Sequence, residues 1–488
     1  MSGQEQEIRS VVEEVLRRIQ APAPSPPETG CLIQPEPAPA ASADGGEDGV
    51  FDDVDGAVAA AEKAHLSLMS MTLERRGRII QALRETALRY KEDFARRTVE
   101  ETGMGRVEDK IKKFIGVATL TPGIEDLPTQ AWSGDRGLTI QEAAPYGVIG
   151  AVTPSTHPVP TMLNNAISFI AAGNSGVFNG HPGGKRVFNY GVQIFNRAIV
   201  EAGGPPNLIT SLREPTMETG RAIFSHPKIR LLLVTGGPGV VRAAMAASKR
   251  AICAGPGNPP VVVDETADLA HAARCIVEGA SFDNNILCIG EKEVFVVESI
   301  FDAFKAEMLK QPCYELNAQQ IEALAQKAFT LEGGAGCASP VLNRALVGRN
   351  AEVLAAAIGL TIDPSIRLLI GETGPDHLFV VEEQMMPFVP LVRCRDVHEA
   401  IDRALVAEHG YGHTALMHSR NVENMSKMAR LVNTTIFVKN GPSLAGLGAG
   451  GEGYTSYSIA SPTGEGITTA RTFTRMRRCA LVDYFRII

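Results

Sequence analysis

The chain has 488 residues and is 44% hydrophobic, enough apolar material for large packed cores and more than one domain. Its formal net charge of −8 argues against nucleic acid or an anionic membrane as the main partner. The eight cysteines show no CxxC and no paired metal-ligand spacing, no apolar run reaches the length of a membrane span, and MSGQEQEIRS is not a secretory signal. Free thiols in a reducing cytosol, and no metal site, are therefore expected.

In chain order, EQEIRSVVEEVLRRIQ places Ile8, Val11, Val12, Val15, Leu16 and Ile19 at helical spacing with Glu and Arg on the other face. Residues 1–20 are read as an amphipathic helix. The Pro/Ala/Gly/acidic run over 21–50 cannot bury a core and is read as a disordered tether. A helix this short is marginal alone in water. Its apolar stripe needs a surface to dock on, either a separate partner or the chain's own globule.

From about residue 51 the pattern alternates between helix and strand. Two long helical stretches cover 54–71 and 73–102. YGVIGAVTP reads as a buried strand ending in turn residues, AISFIAAGN (166–174) as a short helix and SGVFNGHPG as a strand entering a loop. RLLLVTGGPGVVRAAMAA, PPVVVDETADLAHAARCIVEGASF and KEVFVVESIFDAFKAEMLKQ each read as strand, turn, helix. This rhythm predicts an α/β fold, with a mostly parallel sheet covered by helices on both faces.

Four segments carry candidate chemistry. The turn Thr235-Gly236-Gly237-Pro238-Gly239, between a strand and a helix, lets backbone N–H groups approach a phosphate, though its spacing is not GxGxxG. CAGPGNPPVVV makes a rigid loop before a strand. SFDNNILCIGEKE contains Cys288; a free cysteine is usually a core sulfur, and a nucleophile needs its pKa lowered by a helix N-terminus, a cation or a metal. Asn284 and Asn285 are the nearby candidate donors, and Lys292 has no assigned place. The glycine-rich stretch NGPSLAGLGAGGEGYTSYSIASPTGEG follows the strand TTIFVKN and reads as a functional or packed loop.

Taken together, YGVIGAVTPSTHP, AAGN, LLVTGGPG, AGPGNPP, the cysteine and EEQMMPFVP occur in an order that resembles the aldehyde dehydrogenase superfamily, from about residue 51 to the C-terminus. SFDNNILCIGEKEVFVV, GYGHTALMHS and the glycine-rich stretch resemble its CoA-acylating branch. That branch includes the propionaldehyde and acetaldehyde dehydrogenases of bacterial microcompartments.

The resemblance implies an aldehyde dehydrogenase-like fold in three parts. A Rossmann-like cofactor domain would take 51–130 and 147–255, and an α/β catalytic domain 256–441. A small β extension from 131–146 and 463–488 would build a homo-oligomer, dimer or tetramer. It further implies NAD as cofactor and CoA as co-substrate. Cys288 is placed as nucleophile and Thr156 beside it, where the hydrolytic family has an oxyanion-binding Asn; the Cys288 backbone N–H would share that role. Thr153, Pro154, Thr235, Gly236, Gly237, Gly239 and Gly255 fall to the cofactor, with Glu383 on its nicotinamide ribose.

Two departures guide the expected reaction. Ala254 stands where hydrolytic relatives carry a general-base Glu, which points to a thiol rather than water as acyl acceptor. Asn179 replaces a ribose-binding lysine, so the choice of NAD or NADP does not carry over. His413 has no assigned role. Lys185 and Arg186 read as a solvated charge pair that could reach phosphates. The branch also implies that residues 1–20 dock on a shell or cargo protein, placing the chain in the cytoplasm inside a microcompartment. The alternatives are a hydrolytic dehydrogenase, an acyl-phosphate reductase and a non-catalytic scaffold.

Overall fold

The computed structural model describes residues 48–332 and 339–486. The expected N-terminal helix, the tether up to residue 47, Cys31 and Cys337 lie outside them. Val50, assigned to the tether by composition, is a buried strand residue paired with Ser211.

Two parallel sheets form the body, rather than the single one that the alternation alone suggests. The first has six strands in the spatial order Val50–Phe51, Ile209–Leu212, Ser175–Asn179, Val148–Val152, Ile229–Thr235 and Arg250–Ala254. From Val148–Val152 the chain steps outward to Ile209–Leu212. It then returns to the other side of its starting strand for Ile229–Thr235. Such a reversal leaves a crevice at the carboxyl ends of the two strands. The loops after Val152 and Thr235 therefore flank one opening.

The second sheet has seven parallel strands, ordered Cys313–Glu315, Leu368–Thr373, Phe388–Cys394, Glu293–Val297, Pro260–Val263, Thr414–His418 and Ile436–Lys439. Its central strands PVVV and EVFVV are buried at every position. Continuous β-branched runs suit a sheet covered on both faces.

A third, antiparallel sheet joins Gln130–Gly134, Gly137–Pro145 and Thr474–Val482. Trp132, Met476, Leu481 and Val482 are exposed on it. Residues just before its last strand pack on the body instead: Phe473 is buried edge-on against Phe169, and Thr463 accepts the Cys253 N–H.

The 30-residue helix Leu73–Thr102 positions the site. Ile79, Ile80, Leu83, Ala87 and Phe94 recur at helical spacing on its buried side, and Phe94 stacks on Phe114 at 5.3 Å. The Thr72 hydroxyl caps its start and Gly103, at φ 68°, ends it. The chain then turns through Gly105 into helix Val107–Leu120, which carries Asp109, Lys110 and Lys113 inward.

Helix Pro158–Ala171 starts eight residues earlier than the sequence pattern suggests. Thr161, Asn164 and Asn165 interrupt its apolar pattern, yet all three are buried. Asn164 explains how: its amide donates to the Thr121 hydroxyl (3.0 Å) and accepts the Tyr457 N–H (3.1 Å). Long-range bonds of this kind leave no local signature.

Candidate active site

Cys288 follows a turn of unusual backbone. Asp283, Asn284 and Asn285 all have left-handed φ, at 49°, 57° and 61°. Asn and Asp tolerate this region better than other side chains, so the tripeptide DNN is the local sequence that permits the turn. Three consecutive left-handed residues still store strain, and the surroundings hold each one.

The Asp283 carboxylate accepts the Arg106 N–H (2.7 Å), the Lys110 ammonium (3.1 Å) and the Lys113 ammonium. Its own N–H donates to Asp109, which also binds Arg367. These cations hold the Asp283 carboxyl down at about 2 despite full burial. The Asn284 amide donates to Gly348 O and Asn350 Oδ1, both at 2.9 Å, and the Asn285 amide to Glu291 O at 2.9 Å. Both hydrogens of the Asn284 amide are therefore spent away from the thiol, which local sequence had offered as a partner.

Lys113 also meets His157 Nδ1 at 3.0 Å, and the Lys110 ammonium donates to Thr156 O at 3.4 Å. The Thr156 loop and the Cys288 turn are thus joined through two lysines. Burial and the lysine charges push the His157 pKa well down, so the ring is neutral. It packs edge-on against Tyr457 at 5.7 Å. Burial, with Asp283 and Cys288 near the phenol, raises the Tyr457 pKa.

Cys288 is half-buried, whereas Cys253, Cys275, Cys313 and Cys394 are buried and Cys479 lies exposed on the third sheet. Burial first, then the Glu383 carboxylate, pushes the Cys288 thiol up to about 12; Lys292 and Lys113 pull the other way. Burial also lifts Glu383, to about 7, against Lys292 and a hydrogen bond from Gly257 N–H. Protonation of Glu383 near neutrality removes one of the two effects that oppose the thiolate.

Gly257 fits between the Cys288 carbonyl and the His413 ring: a Cβ there would lie 2.7 Å from Cys288 O and 2.9 Å from His413 Cγ. Gly257→Ala is expected to lower turnover more than tenfold while the melting temperature moves by only a few degrees. Equal turnover in a folded variant would show that this contact does not set the Cys288 geometry. His413 is held near pKa 4 by burial and Lys292; its Nδ1 meets the Thr414 hydroxyl, and its Nε2 is buried without a partner.

Thr153 and Pro154 follow strand Val148–Val152, and Thr235, Gly236, Gly237 and Gly239 follow its neighbour across the reversal. These residues share the crevice mouth. A Cβ on Gly237 or Gly239 would meet nothing within 4 Å, so the helix start at Pro238 is open to a ligand. The Thr153 hydroxyl is buried without a partner. An open N-terminal turn and an orphaned donor suit a dinucleotide pyrophosphate. Gly255 has less room, since a Cβ would lie 2.7 Å from the Pro462 ring. The Thr235 hydroxyl meets the Ser458 hydroxyl at 2.7 Å, next to Tyr457, which connects the crevice to the Cys288 side.

Asn179 uses its amide within the fold, donating to Thr216 O and accepting from Thr219. Lys185 pairs with Glu214, and Arg186 lies 3.6 Å from Glu101. Ala254 is buried at the end of its strand, where its carbonyl accepts the Gly236 N–H. Sequence reasoning missed Lys110, Lys113, Asp283 and His157, and named Lys292 without placing it. Only the DNN run offered a signal, for the turn itself. Among the described residues no cluster of His, Cys, Asp or Glu could hold a metal ion, and no helix is long and apolar enough to cross a membrane.

A cysteine on a pinned turn, linked through Tyr457 and Ser458 to a dinucleotide-type crevice, is the arrangement of an aldehyde dehydrogenase. The chain belongs to that family, whose profile matches residues 38–322. Among its relatives is the acetaldehyde dehydrogenase (acetylating) EutE of Escherichia coli, 52% identical over 91% of this chain and 94% of the relative. Among solved structures, a propionaldehyde dehydrogenase from the fucose utilisation microcompartment of Clostridium phytofermentans superposes with a TM-score of 0.88. It is 45% identical and covers 91% of this chain and 100% of its own. The propionaldehyde dehydrogenase of Rhodopseudomonas palustris, solved with bound CoA and an acylated cysteine, gives a TM-score of 0.86 at 45% identity, covering 89% of this chain and 98% of its own.

Proposed function

We propose that the chain oxidises a short aldehyde to an acyl-CoA, so that aldehyde, NAD+ and CoA give acyl-CoA, NADH and a proton through a thioester on Cys288. The observation that carries this reading is the half-buried Cys288 thiol on its braced turn, with Ala254 at the sequence position where hydrolytic relatives carry their base. The names of the relatives support it: acetylating, CoA-bound and acylated on cysteine.

In this mechanism the Cys288 thiolate adds to the aldehyde carbonyl, with the Cys288 N–H and the Thr156 side chain as the oxyanion donors. A bound nicotinamide dinucleotide supplies the hydride acceptor. Thr153, Pro154, Thr235, Gly236, Gly237, Gly239, Gly255 and Glu383 would hold it. Loss of hydride from the thiohemiacetal leaves the thioester. Alanine cannot take a proton from water, so the thioester persists until the CoA thiol attacks, releases acyl-CoA and restores Cys288.

Propionaldehyde is the proposed substrate, after the solved neighbours, with acetaldehyde as the alternative. Residues 1–20 are proposed to dock on a microcompartment shell or cargo protein, and the third sheet to join copies of the chain. The test is NADH formation from propionaldehyde and NAD with and without CoA, free of phosphate. Repeated turnover should require CoA. Steady turnover without it would mean that water reaches the thioester, and the reading would fail.

A further inference from the structure

We propose that Lys292 is a positioning residue for Cys288, with its ammonium held inside the turn as the counter-charge of the Cys288 thiolate. This deepens the proposed function and rests on Cys288 being its nucleophile.

Burial lowers the Lys292 pKa, and the geometry around its Nζ works against that shift. Its Nζ lies 2.7 Å from Asn285 O, 2.7 Å from Asn285 Oδ1 and 3.2 Å from Leu287 O. The Asn285 amide is oriented by its own donation to Glu291 O, so its oxygen faces the lysine. All three partners can only accept. A neutral amine has two hydrogens to give and an ammonium has three. Three acceptors favour the ammonium, clamped to the backbone one and three residues before Cys288.

That cation has no ion-pair partner among the described residues. Glu291 turns away to accept the Ser443 N–H (2.8 Å) and hydroxyl (2.7 Å). Both carboxyl oxygens of Glu293 are buried without a partner, and burial raises its pKa well above the usual range, so it is neutral. Glu383 is the largest favourable charge acting on Lys292, but it accepts from Gly257 and burial lifts it to about 7, so near neutrality it is only partly ionised. A buried charge normally needs a partner to offset its desolvation. The anion that would complete this one is the thiolate, which forms only when Cys288 reacts.

The other charged groups facing the pair set the direction of the effect. Glu383 disfavours the thiolate, while Lys292 and Lys113, from helix Val107–Leu120, favour it. His413 stays neutral beside Lys292 and adds no charge. Lys292 thus does two things in one place: it braces the left-handed turn through carbonyls and lowers the cost of ionising the sulfur.

The test is the pH dependence of Cys288 alkylation by iodoacetamide, read from the Cys288 peptide by mass spectrometry, in the full chain. Lys292→Gln removes the charge and keeps a donor. Asn285→Asp keeps the ammonium and neutralises it with a carboxylate in the same place. In either variant alkylation near neutrality should slow about tenfold, with the rise in rate displaced to higher pH. Either folded variant with the wild-type rate profile overturns the proposal. Failure of the parent reading looks different: Cys288→Ala would then turn over aldehyde. An inactive Cys288→Ala with unmoved rate profiles in the Lys292 and Asn285 variants sinks this inference alone.

Discussion

Cys288→Ala is expected to lower CoA-dependent NADH formation by about 10³-fold or more, roughly 4 kcal/mol of transition-state stabilisation. No other described thiol can take over. Cys253, Cys275, Cys313 and Cys394 lie within the packed body, and Cys479 sits on the third sheet. Cys288 is only half-buried and the change removes one sulfur, so the melting temperature should hold within a few degrees. A folded Cys288→Ala protein that keeps a tenth of wild-type turnover would rule out this sulfur as nucleophile.

The largest stability effect is expected at Asp283. Replacement by Ala leaves two buried ammonium groups and the Arg106 N–H without their shared acceptor. Breaking a buried ion pair from one side costs about 3–5 kcal/mol. Denaturant titration should show a midpoint shift of that size, together with loss of fast Cys288 alkylation, since the turn loses its anchor. Acid provides a check on the sign. The Asp283 pKa is depressed in the fold from 3.8 to about 2. Its contribution is therefore complete above the unfolded value and is lost as pH falls through the folded one. The stability gap between wild type and Asp283→Asn should be full at about pH 5 and shrink between about pH 4 and pH 2. A gap that stays constant over that window would show that the carboxylate charge is not what the lysines need.

Much of the frame could be read from local pattern. The periodic helix from Leu73 to Thr102 carries its own punctuation in Thr72 and Gly103, and its observed ends coincide with those expected. The strand, turn and helix around Thr235–Gly239 needed only an apolar run and glycines. The site was less legible, because its bonds are distant in sequence. Nothing in VEDKIKKFIG says that Lys110 and Lys113 are buried, since lysines at helical spacing ordinarily face water. Their partner, Asp283, lies 170 or more residues away. Family resemblance, not local chemistry, singled out Cys288: its thiol is pushed as high as those of the core cysteines, and what sets it apart is its place on the turn.

The braces on that turn also order events in time. Asp283 depends on residues 170–177 positions upstream, Asn284 on Gly348 and Asn350, 64 and 66 positions downstream, and Glu291 on Ser443, 152 positions downstream. During synthesis the first set already exists when Cys288 is made, but the last does not. At roughly 5–20 residues per second, about 8–30 s pass before Ser443 follows Cys288 from the ribosome. Through that interval the sulfur sits in a loop whose bracing is incomplete. A chain released early would carry the cysteine without its reactivity, so the enzyme's most hazardous group is armed only in a nearly finished molecule.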